Sequence, residues 1–291
     1  MSRVHDALRR AEQGTPFPQE APTAPPTGET RGPDYLSIRG DLVPSPAGRL
    51  SLTAAMLADV PVVPFQPAPE SHLLDLNSSH ETPAEEFRTL RTRLNHLQTL
   101  QPLHTVVVTS PSPAEGKTFS AVNLALAQAQ IAESSVLLGD FDLRRPVIHN
   151  LFQIDRAPGL SDFLTGRCSF PQALRKIEGM TLYLLPAGSP VKNPLELLNL
   201  RQARALFEEL PHIVSWAIFD TPPLLFSADA NLLATLADGT VLVVKIGSTT
   251  FDNVQRAMQS LCENNVLGIV ANGARASELY SKYTYYYSKT E

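Results

Sequence analysis

The sequence predicts an α/β fold, a mostly parallel sheet with helices on both faces, from three observations. Short β-branched and apolar runs alternate with helical stretches of about 10–15 residues. One such run leads into a Gly-Lys-Thr turn followed by a helix. Two later runs end in aspartate, at the carboxyl strand ends where such sheets bind ligands. Strands buried on both faces read as continuous apolar runs. Residues 104–109, 135–138, 182–185, 216–219, 240–246 and 266–271 have that form, with helical patterns over 117–131, 195–209 and 252–263.

Taken in order, residues 1–80 read as a proline-rich N-terminal extension and linker. Of the 25 prolines, 12 fall in residues 1–75, which leaves that quarter of the 291-residue chain poorly suited to a core of its own. Within it, residues 2–13 place Val4, Leu8 and Ala11 at helical spacing among Arg3, Arg9 and Arg10. That is a short amphipathic helix for docking on a partner or membrane surface, or else a solvated terminus. An apolar island stands near residues 51–58. Residues 81–276 then form the α/β domain, and residues 277–291 a tyrosine-rich tail. Thr82-Pro83-Ala84-Glu85 has the form of a helix start, with Thr as N-cap and Pro in the first turn. The helix presents Phe87, Leu90, Leu94 and Leu97 on one side.

After the first core strand comes Ser110-Pro111-Ser112-Pro113-Ala114-Glu115-Gly116-Lys117-Thr118. Gly116-Lys117-Thr118 at a strand-to-helix turn is the end of a P-loop. The amides of Ala114, Glu115, Gly116, Lys117, Thr118 and Phe119 suit a polyphosphate, Lys117 reaches the β/γ-phosphates of ATP, and the Thr118 hydroxyl binds Mg²⁺. Pro111 stands where G-x-x-x-x-G-K-[ST] has its first glycine. The fold class is thus P-loop NTPase-like. Asp140 and Asp142 leave the second core strand two residues apart, so alternation points both to one side. They suit Mg²⁺ and a proton acceptor for an attacking hydroxyl; the plainer alternative is a polar strand end capping the next element. Asp220 ends an apolar strand in the Walker B manner and completes a metal set of Thr118, Asp142 and Asp220. Asn272, before Gly273 at the last strand end, either contacts the adenine or closes an ordinary turn.

From about Thr82 onward these residues resemble the bacterial tyrosine kinases of the polysaccharide co-polymerase system, autokinases that regulate capsule and exopolysaccharide production. The resemblance rests on Gly116-Lys117-Thr118, Asp140-Phe141-Asp142-Leu143-Arg144 and Asp220-Thr221-Pro222-Pro223. It extends to Gly159-Leu160-Ser161 with Gly166, and to Asn193-Pro194-Leu195-Glu196-Leu197-Leu198. Glu85-x-x-Arg88-x-x-Arg91 is similar to the family's E-x-x-R-x-x-R helix, which implies a subunit contact in a ring-like homo-oligomer; alone, it would be a surface helix with i,i+3 ion pairs.

Five of the seven tyrosines, Tyr280, Tyr283, Tyr285, Tyr286 and Tyr287, fall in the last 12 residues, among polar neighbours. Such a cluster is not a buried core stripe. It reads as a substrate that reaches a neighbouring subunit's site; the plainer alternative is an aromatic strand or a sticky terminus. Each phosphotyrosine adds ~1.5–2 negative charges, so a modified tail would be repelled by Asp140, Asp142 and Asp220. The expected reaction is transfer of the ATP γ-phosphoryl group to tyrosine. Asp140 is the first choice as base, Asp142 can exchange roles with it, and Arg144 touches phosphate or the incoming tail. The resemblance also implies a separate membrane activator and a phosphotyrosine phosphatase.

A net charge of -5 speaks against nucleic-acid binding. Cys168 and Cys262 stand far apart, which suggests neither a disulfide framework nor a zinc site. No apolar run approaches the ~20 residues of a membrane span, and MSRVHDALRR lacks a signal-peptide core, so the chain reads as cytoplasmic; the resemblance implies that a partner recruits it to the inner face of the membrane. Two other classes stay open. A deviant-Walker partition or septum-site ATPase would carry a second lysine where Ser112 stands. A catalytically weak nucleotide-binding scaffold would act in polymer export by assembly alone.

Overall fold

The computed structural model describes residues 50–68, 71, 73, 84–261 and 266–274. Eight strands form one sheet in the order β1-β4-β5-β3-β6-β2-β7-β8. They are β1 (Val62–Val63), β2 (Thr105–Thr109), β3 (Val136–Asp140), β4 (Arg175–Ile177), β5 (Leu182–Leu185), β6 (Trp216–Asp220), β7 (Gly239–Lys245) and β8 (Val266–Asn272). Every neighbouring pair is parallel except β4 and β5. The helices are α1 (Ala84–Leu100), α2 (Lys117–Ala129), α3 (Ile148–Leu151), α4 (Leu160–Leu164), α5 (Phe170–Ala173), α6 (Pro194–Leu198), α7 (Arg201–Glu209), α8 (Ala228–Leu236) and α9 (Phe251–Ser260).

The central strands are the expected apolar runs. TVVVT of β2, VLLGD of β3 and WAIFD of β6 are buried at every position, because helices cover both faces of the sheet. On one face Phe141, Phe207 and Phe219 pack with ring centroids 4.6–5.7 Å apart. Gly139 makes room for them: a Cβ there would lie 2.7 Å from the Phe141 ring. On the other face α1 and α2 bury Phe87, Leu94, Val122 and Leu126 over β2 and β3.

Register places the site. Asp140 is paired with Asp220 across β3 and β6, and Asp220 with Val108 across β6 and β2. Three adjacent strands therefore deliver Asp140, Asp220 and the P-loop to one rim.

Three expectations change. Residues 50–63, read as linker, join the core: Leu52 and Val60 are 6% and 5% exposed, and Val62–Val63 pairs with β4 at the sheet edge. The island contains a 3-10 turn, Ala54–Asp59. The helix expected over 195–209 is two helices, because Leu200 turns extended (φ -62°, ψ 150°) between α6 and α7. Strand β4 was not anticipated, since Arg175-Lys176-Ile177 shows neither an apolar run nor alternation. The proposed helix cap at Thr82 and Pro83, the segment 2–13 and the tyrosine tail lie outside the described residues.

Candidate nucleotide site

The loop between β2 and α2 takes the shape that a phosphate cradle needs. Gly116 is left-handed at φ 94°, and Ala114 shares that region at φ 61°. A helix leaves its first N–H groups without intrahelical partners. In α2 those of Lys117, Thr118 and Phe119 precede Ser120, whose N–H donates to Gly116 O at 2.9 Å. The loop's first half is braced from the segment after β6. Leu224 N donates to Ser110 O at 2.9 Å and Leu225 N to Pro111 O at 3.3 Å, so Pro111 is accommodated where a glycine is usual.

Lys117 lies among acids. Its Nζ is 3.0 Å from Asp142 Oδ2 and 3.4 Å from Asp220 Oδ1. The Thr118 hydroxyl donates to Asp220 Oδ2 at 2.6 Å. Burial alone would lower the Lys117 pKa, but Asp220 and Asp142 outweigh it and raise the ammonium above its usual range. Asp220 is wholly buried. Burial lifts its pKa to about 6 even though Lys117 and Thr118 pull it down.

Asp140 and Asp142 do not act alike, although alternation points them to one side. Asp140 Oδ2 accepts the N–H groups of Val147 and Ile148, each at 3.0 Å, so one oxygen caps the next element. Its Oδ1 is buried with no partner among the described residues. Burial and the neighbouring Asp220 push Asp140 up to about 8, which favours its protonated form. Asp142 faces Lys117 with one oxygen and accepts Arg145 N at 3.0 Å with the other. Thr118, Asp142 and Asp220 offer a hydroxyl and two carboxylates of the kind a divalent cation takes, although among the described residues no three acidic, histidine or cysteine side chains converge as a metal-holding group.

The remaining expected residues separate. Glu115 turns its side chain inward, 3% exposed, accepting Ser112 N at 2.9 Å and the Thr249 hydroxyl at 2.6 Å; its backbone stays in the loop. The Phe119 ring packs edge-on against Phe87 at 5.8 Å. Asn272 closes its turn, its Oδ1 accepting Gly273 N, and also donates from Nδ2 to Glu115 O at 2.9 Å. A Cβ on Gly116 would overlap that amide, 1.9 Å from Nδ2. Asn272, Phe119, Phe87, Leu90 and Arg93 wall a groove of about 520 Å³ beside the loop. On α1, Glu85 and Arg88 pair at 3.1 Å near the surface, while Arg91 donates to Ala127 O at 2.9 Å, near the C-terminal end of α2.

No protein-family model matches the chain. Among curated proteins, the tyrosine-protein kinase YwqD of Bacillus subtilis (strain 168) is 36% identical over 208 residues, covering 71% of this chain and 87% of that protein. The chain belongs to the bacterial tyrosine-protein kinase family. The family kinase Etk of Escherichia coli (strain K12) is 33% identical over 212 residues, 72% of this chain but 29% of that longer protein. Among solved structures, the chimerical protein CapA2B2 aligns with TM-score 0.65 at 28% identity, over 75% of this chain and 95% of that one. The kinase domain of Escherichia coli ETK gives 0.63 at 27%, over 74% and 91%. The septum site-determining protein MinD from Pyrococcus horikoshii OT3, at TM-score 0.51 and 18% identity, shares the fold alone.

The strand-end rim is the candidate nucleotide site of this tyrosine-protein kinase family member. Among its described residues, no helix is long and apolar enough to cross a membrane. Two parts of this kinase's site went unread in the sequence. Thr249 braces Glu115 from the turn after β7, 134 positions away. Asp229 of α8 takes both arms of the Arg144 guanidinium, at 2.8 and 3.1 Å. A Thr-Thr pair and a helix-start aspartate carry no signal of such partners without the fold.

Proposed function

We propose that the chain is an ATP-dependent protein-tyrosine autokinase that phosphorylates its own terminal cluster, Tyr280, Tyr283, Tyr285, Tyr286 and Tyr287, in trans between subunits. The observation that carries this reading is Lys117 held between Asp142 and Asp220 at the mouth of a left-handed Gly116 loop. The loop amides and Lys117 bind the phosphates of ATP. The groove beside Phe119 and Asn272, within the usual ~300–1,000 Å³ of ligand pockets, takes the base. Thr118, Asp142 and Asp220 hold Mg²⁺, which when bound neutralises charge on the phosphate oxygens. The bond from the γ-phosphorus to the β–γ bridging oxygen breaks, and a bond to the phenolic oxygen forms. ADP leaves and the phenolic proton passes to Asp140. Asp140 Oδ1, without a partner among the described residues, is the oxygen free to take it.

The resemblance supports a role in exopolysaccharide or capsule synthesis and export, with a membrane activator, a phosphatase that resets the tail, and a ring-like assembly through Glu85 and Arg88. Arg91, which also donates to Ala127 O, belongs to the same contact. A mixing experiment tests the reading. Lys117→Met chain, with a dead site and an intact tail, is incubated with MgATP, any required activator and a second chain whose five tail tyrosines are phenylalanine. Mass spectrometry is expected to find phosphotyrosine on the Lys117→Met chain. Label absent there but present on wild-type chains would remove the trans mechanism, and label on neither would remove the kinase reading.

A further inference from the structure

Arg144 follows Asp142 in a tight turn, closed by Arg145 N donating to Asp142 O and Oδ1 at 3.2 and 3.0 Å. Its guanidinium then meets Asp229 in a two-pronged pair, Nε to Oδ2 at 2.8 Å and Nη2 to Oδ1 at 3.1 Å. The partners are unequally placed. The Asp229 side chain is 1% exposed and that of Arg144 49%. Asp229 is itself held, its N–H donating to Ser227 Oγ at 3.2 Å in the first turn of α8.

Such a pair does more than join two elements. An arginine fork has five N–H donors and Asp229 uses two, one on Nε and one on Nη2, which leaves three on Nη1 and Nη2. A fork fixed along one edge is preorganised to take a second oxyanion in the same plane. Lys117, 13% exposed, lies deep on the nucleotide side, whereas Arg144 stands out at the rim just past Asp142. Phe226, three residues before Asp229, adds a ring that is 68% exposed to the same segment. A half-exposed guanidinium held at the rim matches the chemistry of a phosphoryl group, and the exposed Phe226 ring lies three residues along the chain from its anchor.

We propose that Asp229 is a positioning residue that holds Arg144 as the acceptor-side receptor for the phosphoryl group as it reaches tyrosine and for the phosphotyrosine product. The proposal rests on the kinase reading of the site. Arg144 exchanges no proton in this step; the bonds broken and formed are those given above.

The test uses the full chain, a short tyrosine peptide and its phosphotyrosine counterpart. Asp229→Asn keeps the side-chain shape but leaves the fork one acceptor oxygen. It is expected to weaken phosphopeptide binding to the MgADP-loaded protein, and to raise the peptide KM, by about tenfold, with nucleotide Kd within twofold of wild type. Arg144→Gln should do the same, and the double variant no more than either alone, because one residue acts through the other. The double variant also removes both charges together, which gives a folded comparison if a single variant unfolds. Arg144→Lys, a charge without a fork, should recover less than half of the lost affinity. Additive effects, a parallel loss of nucleotide affinity, full rescue by lysine, or wild-type protein with no affinity for the phosphopeptide would each overturn the proposal. Wild type that transfers nothing to tyrosine would remove the kinase reading, while phosphopeptide binding still decides the role of Asp229.

Discussion

Asp140 is kept neutral by its surroundings, and this has an energetic consequence. Its folded pKa, about 8, lies above the ~3.9 of an unfolded aspartate. A group raised in this way contributes stability fully below the unfolded value and loses it as pH climbs through the folded one. The metal-free protein should therefore weaken between pH 4 and 8 on account of this residue. An asparagine side chain at this position has the same shape and never ionises, and its carbonyl oxygen can still accept Val147 and Ile148 N–H. Asp140→Asn should raise the melting temperature in chelator by at least ~3 °C at pH 8, with a smaller gain at pH 5, while phosphotransfer is lost. Melts of both proteins across that range check it; a gain independent of pH would show that Asp140 is not the titrating group. Lys117→Met acts in the opposite sense, removing the one ammonium that Asp142 and Asp220 share. Losing both its phosphate contact and that compensation should lower kcat/KM by ~10³-fold or more, measured by peptide phosphorylation.

At the scale of elements, the P-loop is held from two sides by residues distant in sequence. Glu115, Thr249 and Asn272 tie the loop to the ends of β7 and β8, and the Thr249 hydroxyl also accepts Lys245 N at 2.8 Å. Thr249→Val keeps the volume but leaves a buried Glu115 oxygen without its donor, a loss of about 1–3 kcal/mol. Part of that strain should appear as a loosened loop, with nucleotide Kd raised about tenfold in a fluorescent-nucleotide titration. The same brace shows why the site was only partly legible in the sequence. β2, β3 and β6 announce themselves because burial on both faces demands apolar runs, and Lys117, Asp140, Asp142 and Asp220 stand at their ends. The fold's register, pairing Asp140 with Asp220, follows from those runs being neighbours. Thr249, Asn272 as a brace, and Asp229 escape because their meaning lies in partners 134, 157 and 85 positions away. Strands β1 and β4 escape for another reason: β1 is only two valines, and β4 sets arginine and lysine before a single isoleucine, so neither offers a period to detect.

Across the whole molecule, stability and chemistry sit at different places on one sheet. Catalytic candidates occupy the adjacent ends of β3, β6 and β2, whereas residues 50–63 lie at the far edge, where β1 is separated from β3 by β4 and β5. Leu52 and Val60 nevertheless join the large apolar cluster that also holds Leu137, Phe141 and Phe219. Leu52 N donates to Glu209 Oε2 at 3.2 Å, and Pro61 O and Val63 O accept Lys176 N and Glu178 N at 2.8 and 2.9 Å. A segment so attached is part of the fold, despite the proline content that marks it as linker. Truncating a buried leucine to alanine costs about 2–5 kcal/mol, and a valine less. At roughly 2–4 °C per kcal/mol for a domain of this size, Leu52→Ala with Val60→Ala should lower the melting temperature by about 6 °C or more. Because this segment lies at the sheet edge, with β1 separated from β3 by β4 and β5, kcat and KM measured well below the melt should stay within twofold of wild type. Asp140→Asn should give the mirror image, a more stable protein that does not transfer phosphate. Finding instead that the edge variant loses activity at low temperature, with its fold intact by circular dichroism, would mean that the edge strand and the strand-end site move as one unit.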